Sequence, residues 1–368
     1  MRAASDRRIA YFSAQAVVQG QDTWAAVQEI IEPMRRDGWT VDLYCPDYPA
    51  GTAPGVWARL WRIAGATRRL MRALRTYDAL YVRVHPLAWP VARRARRAGV
   101  PVIQESNGSW DDAFAAWPWL RRFAGLVIRL QRAQYRDADA IIAVSETLAD
   151  WLRRETRRDD IVVSPNGAND ELFTPDAPPL PDLPDRYVVF FGQFAPWQGV
   201  ETLLAAAESP AWPAGVALVI AGDGALRPQV EAAAARAPHI RYLGVLPYAQ
   251  VPSLVAHALA ATVLTYAPER AGYSPLKLYE AMACGVPVIC SDTPGQAEFV
   301  RAEGAGIVVP PENPRAVAQA AAALAADPDA AAAMGARGRR AVEERYSWRA
   351  RARQRQDVIE RAIERIAR

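Results

Sequence analysis

Lysine is almost absent from this chain: Lys277 is the only one, and the other 43 of its 44 basic side chains are arginine. Histidine is nearly as scarce, with His85, His239 and His257 alone, which argues against a histidine-based nucleophilic triad. The three cysteines, Cys45, Cys284 and Cys290, form no CxxC pair and leave an odd one out. Neither a zinc site nor a disulfide framework is indicated, and they read as small apolar core residues in a reducing compartment. No run of about 18 uncharged apolar residues occurs, as a spanning helix would need. The charged start, Met1 to Ile9, lacks the apolar stretch of a signal peptide. These absences predict a cytoplasmic protein without a membrane span. No GxGxxG follows the first apolar segment, which argues against a dinucleotide-dependent oxidoreductase.

What is present is ordinary globular material, 51% hydrophobic and 23% charged over 368 residues, enough for two domains of roughly 150 to 200 residues each. Short apolar runs alternate with longer stretches of helical period. Ile9–Phe12, Val41–Tyr44, Ala79–Val82, Val102–Ile103 and Ala140–Val144 read as strands, with helices such as Trp24–Arg36 and Val56–Leu74 between them. This is βαβ syntax, hence a parallel sheet covered by helices. It stops at Thr174–Pro184, too rich in proline for helix or central strand, and this segment reads as a linker. A second series follows, with strands at Tyr187–Phe191, Ala217–Ala221, Ile240–Leu243, Ala261–Leu264 and Val286–Ile289. The expectation is an α/β chain of two Rossmann-like, doubly wound parallel-sheet domains, residues 1–175 and 176–345, facing a central cleft where ligands bind in such folds. Residues 346–368 form an arginine-laced helix long enough to return to the first domain.

The lone lysine stands in Gly272-Tyr273-Ser274-Pro275-Leu276-Lys277-Leu278-Tyr279-Glu280. A compact ammonium in a chain that uses arginine everywhere else suits phosphate oxygens in a tight pocket. Serine as N-cap and proline at N1 predict that a helix starts here. Its free amides and positive dipole end favour a diphosphate. Glu280, three residues beyond Lys277, shares roughly its face and can accept hydrogen bonds from a ribose diol. The plain alternative is an i,i+3 ion pair on an exposed face. Asp137-Ala138-Asp139 has the look of a metal-binding pair but directly precedes a strand and reads as a turn. Gly20, read as ending the first strand, would let a backbone approach a ligand.

Tyr273 to Ser291 resembles the carboxyl-terminal signature of the retaining glycosyltransferases of family 4, which have the GT-B fold. Val188 to Glu201 resembles the first strand and loop of that family's second domain, Val219 to Leu226, with Gly222-Asp223-Gly224, its glycine turn, and Val163 to Asn169 the end of its first domain. Tyr77 to Arg83 and Ile103 to Gly108 resemble first-domain segments of some members, so the resemblance covers nearly the whole chain. It implies transfer of a sugar from a nucleoside diphosphate sugar, UDP- or GDP-linked, to a hydroxyl of a glycan or lipid-linked acceptor, with retention and without a metal or other cofactor. Polysaccharide, lipopolysaccharide and glycolipid biosynthesis are the settings implied. Glu280 matches the second of the family's two glutamates, but the first falls on Gly272, and the usual Arg and Lys of the phosphate loop fall on Gln193 and Gln198. The subset with Ser-Pro-Leu-Lys at this helix looks similar, and there Lys277 makes up part of the lost charge. The implied donor site is Gly20, Gly192, Gln193, Gln198, Gly222, Gly272, Tyr273, Ser274, Pro275, Leu276, Lys277 and Glu280. Lys277, Glu105 and Asn107 are the catalytic candidates, Asn107 standing where many relatives carry a histidine. A strand-end turn fixed by the Asn107 side chain is the competing reading for that pair. The same losses leave open a GT-B protein that binds sugar nucleotides or glycans without turnover.

Residues 50–136 carry sixteen arginines against Asp78, Glu105, Asp111 and Asp112. Such an excess points to an anionic partner. Trp57, Leu60, Trp61, Leu70, Met71 and Leu74 interleave with arginines, as do Trp117, Trp119, Leu120, Phe123, Val127 and Leu130. Two readings stand: helices that bind an anionic membrane surface, placing the protein on the inner face of the cell membrane, or helices packing one face on the sheet with arginines in water. No nucleic-acid recognition motif or stacking platform is evident, and nucleic acid is not expected as a partner.

Overall fold

The computed structural model describes residues 6–17, 22–47, 55–116, 118–266 and 274–367. The chain divides into two compact units. The first takes the residues up to Pro165 together with Trp348–Arg368, and the second takes Asn166–Glu269 together with Ser274–Ser347. Thr174–Pro184 is irregular in structure, and its Leu180 and Leu183 pack on the second unit's core.

In the first unit the elements are β1 (Arg8–Phe12), α1 (Asp22–Arg36), β2 (Thr40–Tyr44), α2 (Val56–Ala73), β3 (Ala79–Arg83), α3 (Trp89–Arg97), β4 (Val102–Ser106), α4 (Trp110–Ala116), α5 (Ala124–Arg136), β5 (Ala140–Ala143), α6 (Glu146–Thr156) and β6 (Ile161–Val163). The sheet is β2-β1-β3-β4-β5-β6, with every pairing parallel. Parallel strands covered on both faces must be apolar at nearly every position. Accordingly Ile9 to Phe12, Ala79 to Val82 and Ile141 to Ala143 are all buried. Ser145 caps α6 by accepting a hydrogen bond from the Leu148 amide (3.2 Å), and Arg157 ends it in the left-handed region.

The second unit contains β7 (Tyr187–Gln193), α7 (Val200–Ala207), β8 (Ala217–Asp223), α8 (Arg227–Arg236), β9 (Ile240–Tyr242), α9 (Val251–Val255), β10 (Ala260–Val263), α10 (Leu276–Ala283), β11 (Val288–Ser291), α11 (Ala297–Glu303), β12 (Gly306–Val309), α12 (Pro314–Ala326) and α13 (Pro328–Ala341). Its sheet runs β9-β8-β7-β10-β11-β12, again wholly parallel. Apolar clusters cover both faces, one around Tyr187, Val189, Met282 and Val288, the other around Val188, Phe190, Leu203 and Leu218. The order reverses between β7 and β10, and ligands of doubly wound sheets bind outside the carboxyl ends of the strands at such a reversal.

The last helix, α14 (Trp348–Ala367), packs with the first unit, where α1 is its main neighbour. Two strands lie outside the sequence expectation, β6 and β12. Each has three or four residues and sits at a sheet edge, where half-exposed positions blur the apolar run.

Candidate functional site

Helix α10 leaves the loop that follows β10, directly at the reversal of the second sheet. Ser274 was expected as its N-cap with Pro275 at N1, and the structure corrects this by one residue. Pro275 is the N-cap, extended at φ −70° and ψ 125°, and the helix begins at Leu276 without a capping side chain. The reason is that Ser274 is engaged elsewhere. Its Oγ accepts from the Asn166 amide (3.0 Å) and lies 3.3 Å from the Tyr279 hydroxyl, while its carbonyl accepts from Asn166 Nδ2 (2.7 Å). Pro275 thus gives the start of α10 no capping side chain, and the positive end of a helix dipole favours an anion.

Lys277 is buried in the first turn and reaches back across the carboxyl end of β7. Its Nζ donates to Gln198 Oε1 (2.8 Å) and sits 4.0 Å from the centroid of the Phe190 ring. Gly192 makes room for it: a Cβ there would stand 3.7 Å from both Cε and Nζ, at a φ of 115° that side chains rarely adopt. Gly222 pairs in register with Gly192, at φ 141° and so close that a Cβ would fall 1.8 Å from the Gly192 carbonyl oxygen. Gly192, Gln198, Gly222 and Lys277 therefore come together at the ends of β7 and β8, and Gln193, next to Gly192, is exposed at the same end. Glu280, one turn further along α10, is buried and accepts from the Tyr248 hydroxyl (3.1 Å). Gly20, Gly272 and Tyr273 lie outside the described residues.

Glu105 ends β4 in the first unit and is 2% exposed. It accepts from the Tyr81 hydroxyl and from Asn107 Nδ2 (2.9 Å), and it faces Arg83 (3.6 Å) and Arg355 of α14 (3.5 Å). Burial pushes its carboxyl pKa up, but Arg355, Arg83, Tyr81 and Asn107 together more than reverse this and hold it below the usual value. Burial above all, then the Glu105 charge, pushes the Tyr81 phenol up, so its proton stays available to the carboxylate. Arg355 also donates to Ser164 Oγ (2.7 Å) and to the Tyr81 hydroxyl (3.2 Å). The carboxylate is thus enclosed, and Asn107 is the member of the pair nearer to solvent. Phe190, Asn166, Tyr248 and Arg355 complete the two clusters. Asn166 and Phe190 stood within quoted motifs, whereas nothing local marks Tyr248 and Arg355.

The Asp137-Ala138-Asp139 turn is structural: Asp139 Oδ2 accepts from the Val102 amide (2.8 Å) and Asp137 faces Arg96 (3.5 Å). Among the described residues no group of three or more His, Cys, Asp or Glu side chains is placed to hold a metal ion. Likewise, no helix among them is long and apolar enough to cross a membrane.

A lone lysine and a helix start at the reversal of a parallel sheet, in a chain with two such sheets, have the layout of a phosphate-binding site in a doubly wound α/β protein. Known proteins agree. The Glycosyltransferase Family 4 model matches residues 25–172 and the Glycosyl transferases group 1 model residues 185–327. A GDP-mannose-dependent alpha-mannosyltransferase of Mycobacterium tuberculosis is 26% identical over 82% of this chain and 84% of its own. A GDP-mannose-dependent alpha-(1-6)-phosphatidylinositol monomannoside mannosyltransferase of the same species is 32% identical over 50% of this chain and 51% of its own. Among solved structures, sucrose-phosphate synthase from Thermosynechococcus elongatus superimposes with a TM-score of 0.77 at 22% identity, covering 98% of this chain and all of that one. Anabaena HepE in complex with UDP-glucose gives 0.71 at 18% identity, covering 96% of this chain and 100% of that one. The fold is GT-B. The chain is a nucleotide-sugar glycosyltransferase, its two parts matching the Glycosyltransferase Family 4 and Glycosyl transferases group 1 models in turn.

Proposed function

We propose that this enzyme moves a sugar, with retention at the anomeric carbon, from a GDP- or UDP-sugar to a hydroxyl of a lipid-linked or glycan acceptor. The observation that carries this reading is Lys277 Nζ lying across the end of β7 beside the start of α10. Breaking the glycosyl bond develops negative charge on the diphosphate, so donors fixed at that position lower the barrier. Lys277 supplies a whole charge and α10 its first amides, in a site where Gln193 and Gln198 contribute none. This is the variant in which Ser-Pro-Leu-Lys stands in for the first glutamate of the family pair, with Gly272 at the glutamate position. Glu280, oriented by Tyr248, accepts from the ribose diol. In the first domain Glu105 holds the Asn107 amide, and Asn107 meets the sugar or acceptor. No metal takes part in this scheme. The named relatives favour GDP-mannose and a phosphatidylinositol-type acceptor, while a UDP-glucose complex of a structural neighbour keeps the uridine nucleotide in play.

Calorimetric titration with GDP, UDP and ADP, in EDTA and then with magnesium, tests the site. One nucleotide is expected to bind without metal, and Lys277→Ala and Glu280→Ala each to weaken it by roughly tenfold or more, as loss of a buried charge-assisted contact does. Equal binding by Lys277→Ala overturns the proposed role of Lys277.

A further inference from the structure

The residue at which α10 starts is set from outside the helix and the loop before it. The chain reads Ser274-Pro275-Leu276-Lys277, an order that favours Ser274 as N-cap and Pro275 as the first helical residue, because the fixed φ of proline suits that position. That register makes two demands on Ser274. Its carbonyl must accept from the Leu278 amide, four residues on, and its hydroxyl from the amide of Leu276 or Lys277. Asn166 holds both atoms. Its side-chain Nδ2 donates to the Ser274 carbonyl (2.7 Å) and its backbone amide to the Ser274 hydroxyl (3.0 Å). The Leu278 amide turns instead to the Pro275 carbonyl (3.2 Å). Pro275 keeps a φ of −70° that a helix accepts, but its ψ is extended at 125°, and α10 begins one residue late.

Asn166 can act as an anchor because its own segment is fixed. Ala168 donates its amide to the Tyr346 carbonyl (3.0 Å) and pairs with Ser347. Nη1 of Arg339, in α13, donates to the carbonyls of Asp170 (3.2 Å) and Phe173 (2.8 Å) and to that of Ala283, the last residue of α10 (2.7 Å). Phe173 is fully buried, and its ring meets at 5.6 Å that of Tyr248, whose hydroxyl reaches Glu280. Residues 166–173, the first of the second unit, are therefore fastened to α10 ahead of its start and at its end. Every residue from Lys277 to Ala283 is buried, so the body of α10 has little room to move. A change of ψ at Pro275 from 125° to the helical value of about −40° falls on the chain ahead of it, Ser274 first. The serine hydroxyl then closes on the first-turn amides, the groups that the proposed transfer aims at the donor diphosphate.

We infer that Asn166 is a positioning residue of the donor site: by occupying the Ser274 carbonyl it keeps α10 from starting at Pro275 and keeps the serine hydroxyl off the first turn. This deepens the proposed transfer and rests on that reading for the nucleotide alone.

The test is calorimetric titration of the full chain with GDP and UDP, comparing Asn166→Ala, Asn166→Asp and Asn166→Ala/Ser274→Ala with the wild type. Alanine frees the Ser274 carbonyl, and aspartate, which has no side-chain donor, sets a second acceptor against it. Each single variant is expected to weaken nucleotide binding roughly fivefold, the worth of one N-cap. Removing the serine hydroxyl as well takes away the competing cap, so the double variant is expected to bind more tightly than Asn166→Ala. If the two side chains served only local packing, removing both would weaken binding further. Unchanged binding by Asn166→Ala, or a double variant no tighter than Asn166→Ala, overturns the inference. If the wild type binds no nucleotide, the donor-site reading fails and the register decides the role of Asn166. A crystal structure of Asn166→Ala with the Leu278 amide bonded to the Ser274 carbonyl then upholds its hold on the helix start, and one with that amide still on Pro275 overturns it.

Discussion

At the scale of single residues, the proposed donor site is shaped by what two glycines omit. Gly222 turns at φ 141° with its would-be Cβ only 1.8 Å from the carbonyl oxygen of Gly192, a backbone atom that cannot swing away. Gly222→Ala is expected to cost about 3 kcal/mol or more, read as a lowered denaturation midpoint, because strain at a reserved backbone conformation and steric overlap add. Gly192→Ala meets a different neighbour, the flexible end of Lys277 at 3.7 Å, so backbone strain is its main cost. Lys277 itself fills a slot between the Phe190 ring, the Gly192 backbone and Gln198. Lys277→Arg replaces a compact ammonium with a broader planar guanidinium among these neighbours, a physical reason for a lysine at this one position in an arginine chain.

At the scale of elements, α14 ties the carboxyl edge of the first sheet together through Arg355. The guanidinium is fully buried and shares Glu105 and Ser164 with a strand and a loop distant in sequence. Arg355→Met leaves the buried Glu105 with Arg83 as its remaining close cation, and removal of one partner of a buried pair costs about 3–5 kcal/mol. Adding Glu105→Gln to Arg355→Met is expected to recover part of that loss, measured by a double-mutant cycle in urea. The sign of the pH dependence follows from the direction of the shift. Glu105 is held below its ordinary value, about 4.3 in an unfolded chain. Its contribution is therefore fully present above that pH and is lost as the pH falls through the folded value. Urea midpoints between pH 7 and 3 are expected to fall less steeply in Glu105→Gln than in the wild type. Helix α10 is fixed by a comparable close contact: a Cβ on Gly335 of α13 would lie 1.8 Å from the Gly285 carbonyl oxygen, just past the end of α10.

At the scale of the whole molecule, the first unit is discontinuous in sequence, since its final helix arrives after the entire second unit. Val358, Ile359, Ala362 and Ile363 of α14 are buried, and α14 packs chiefly on α1. A chain ending at Ser347 is expected to show two thermal transitions, with the one from the first unit lowered or absent while nucleotide binding by the second persists. Scanning calorimetry with and without nucleotide checks this; two undisturbed transitions would deny α14 its role. Much of the architecture was legible locally, because the alternation of apolar runs with helical periods encodes a parallel α/β sheet strand by strand. The edge strands β6 and β12 escaped because they are short and half-exposed. The start of α10 was displaced by one residue because the partner that occupies Ser274, Asn166, is 108 positions away.

The sequence alone determined the class of fold, the pairing of a lone lysine with Glu280 at a helix start, and the concentration of arginine and tryptophan before residue 137. These are properties of spacing and composition, carried by neighbours along the chain. Only the tertiary structure decided that β7 and β10 flank the reversal, that Lys277 rests on Phe190 and Gln198, and that α2, α3 and α5 form one cationic face. It also decided that Glu105 is enclosed by an arginine from the last helix. Such contacts join residues 79 to 274 positions apart, and they follow from how all the elements pack at once, which no local period records.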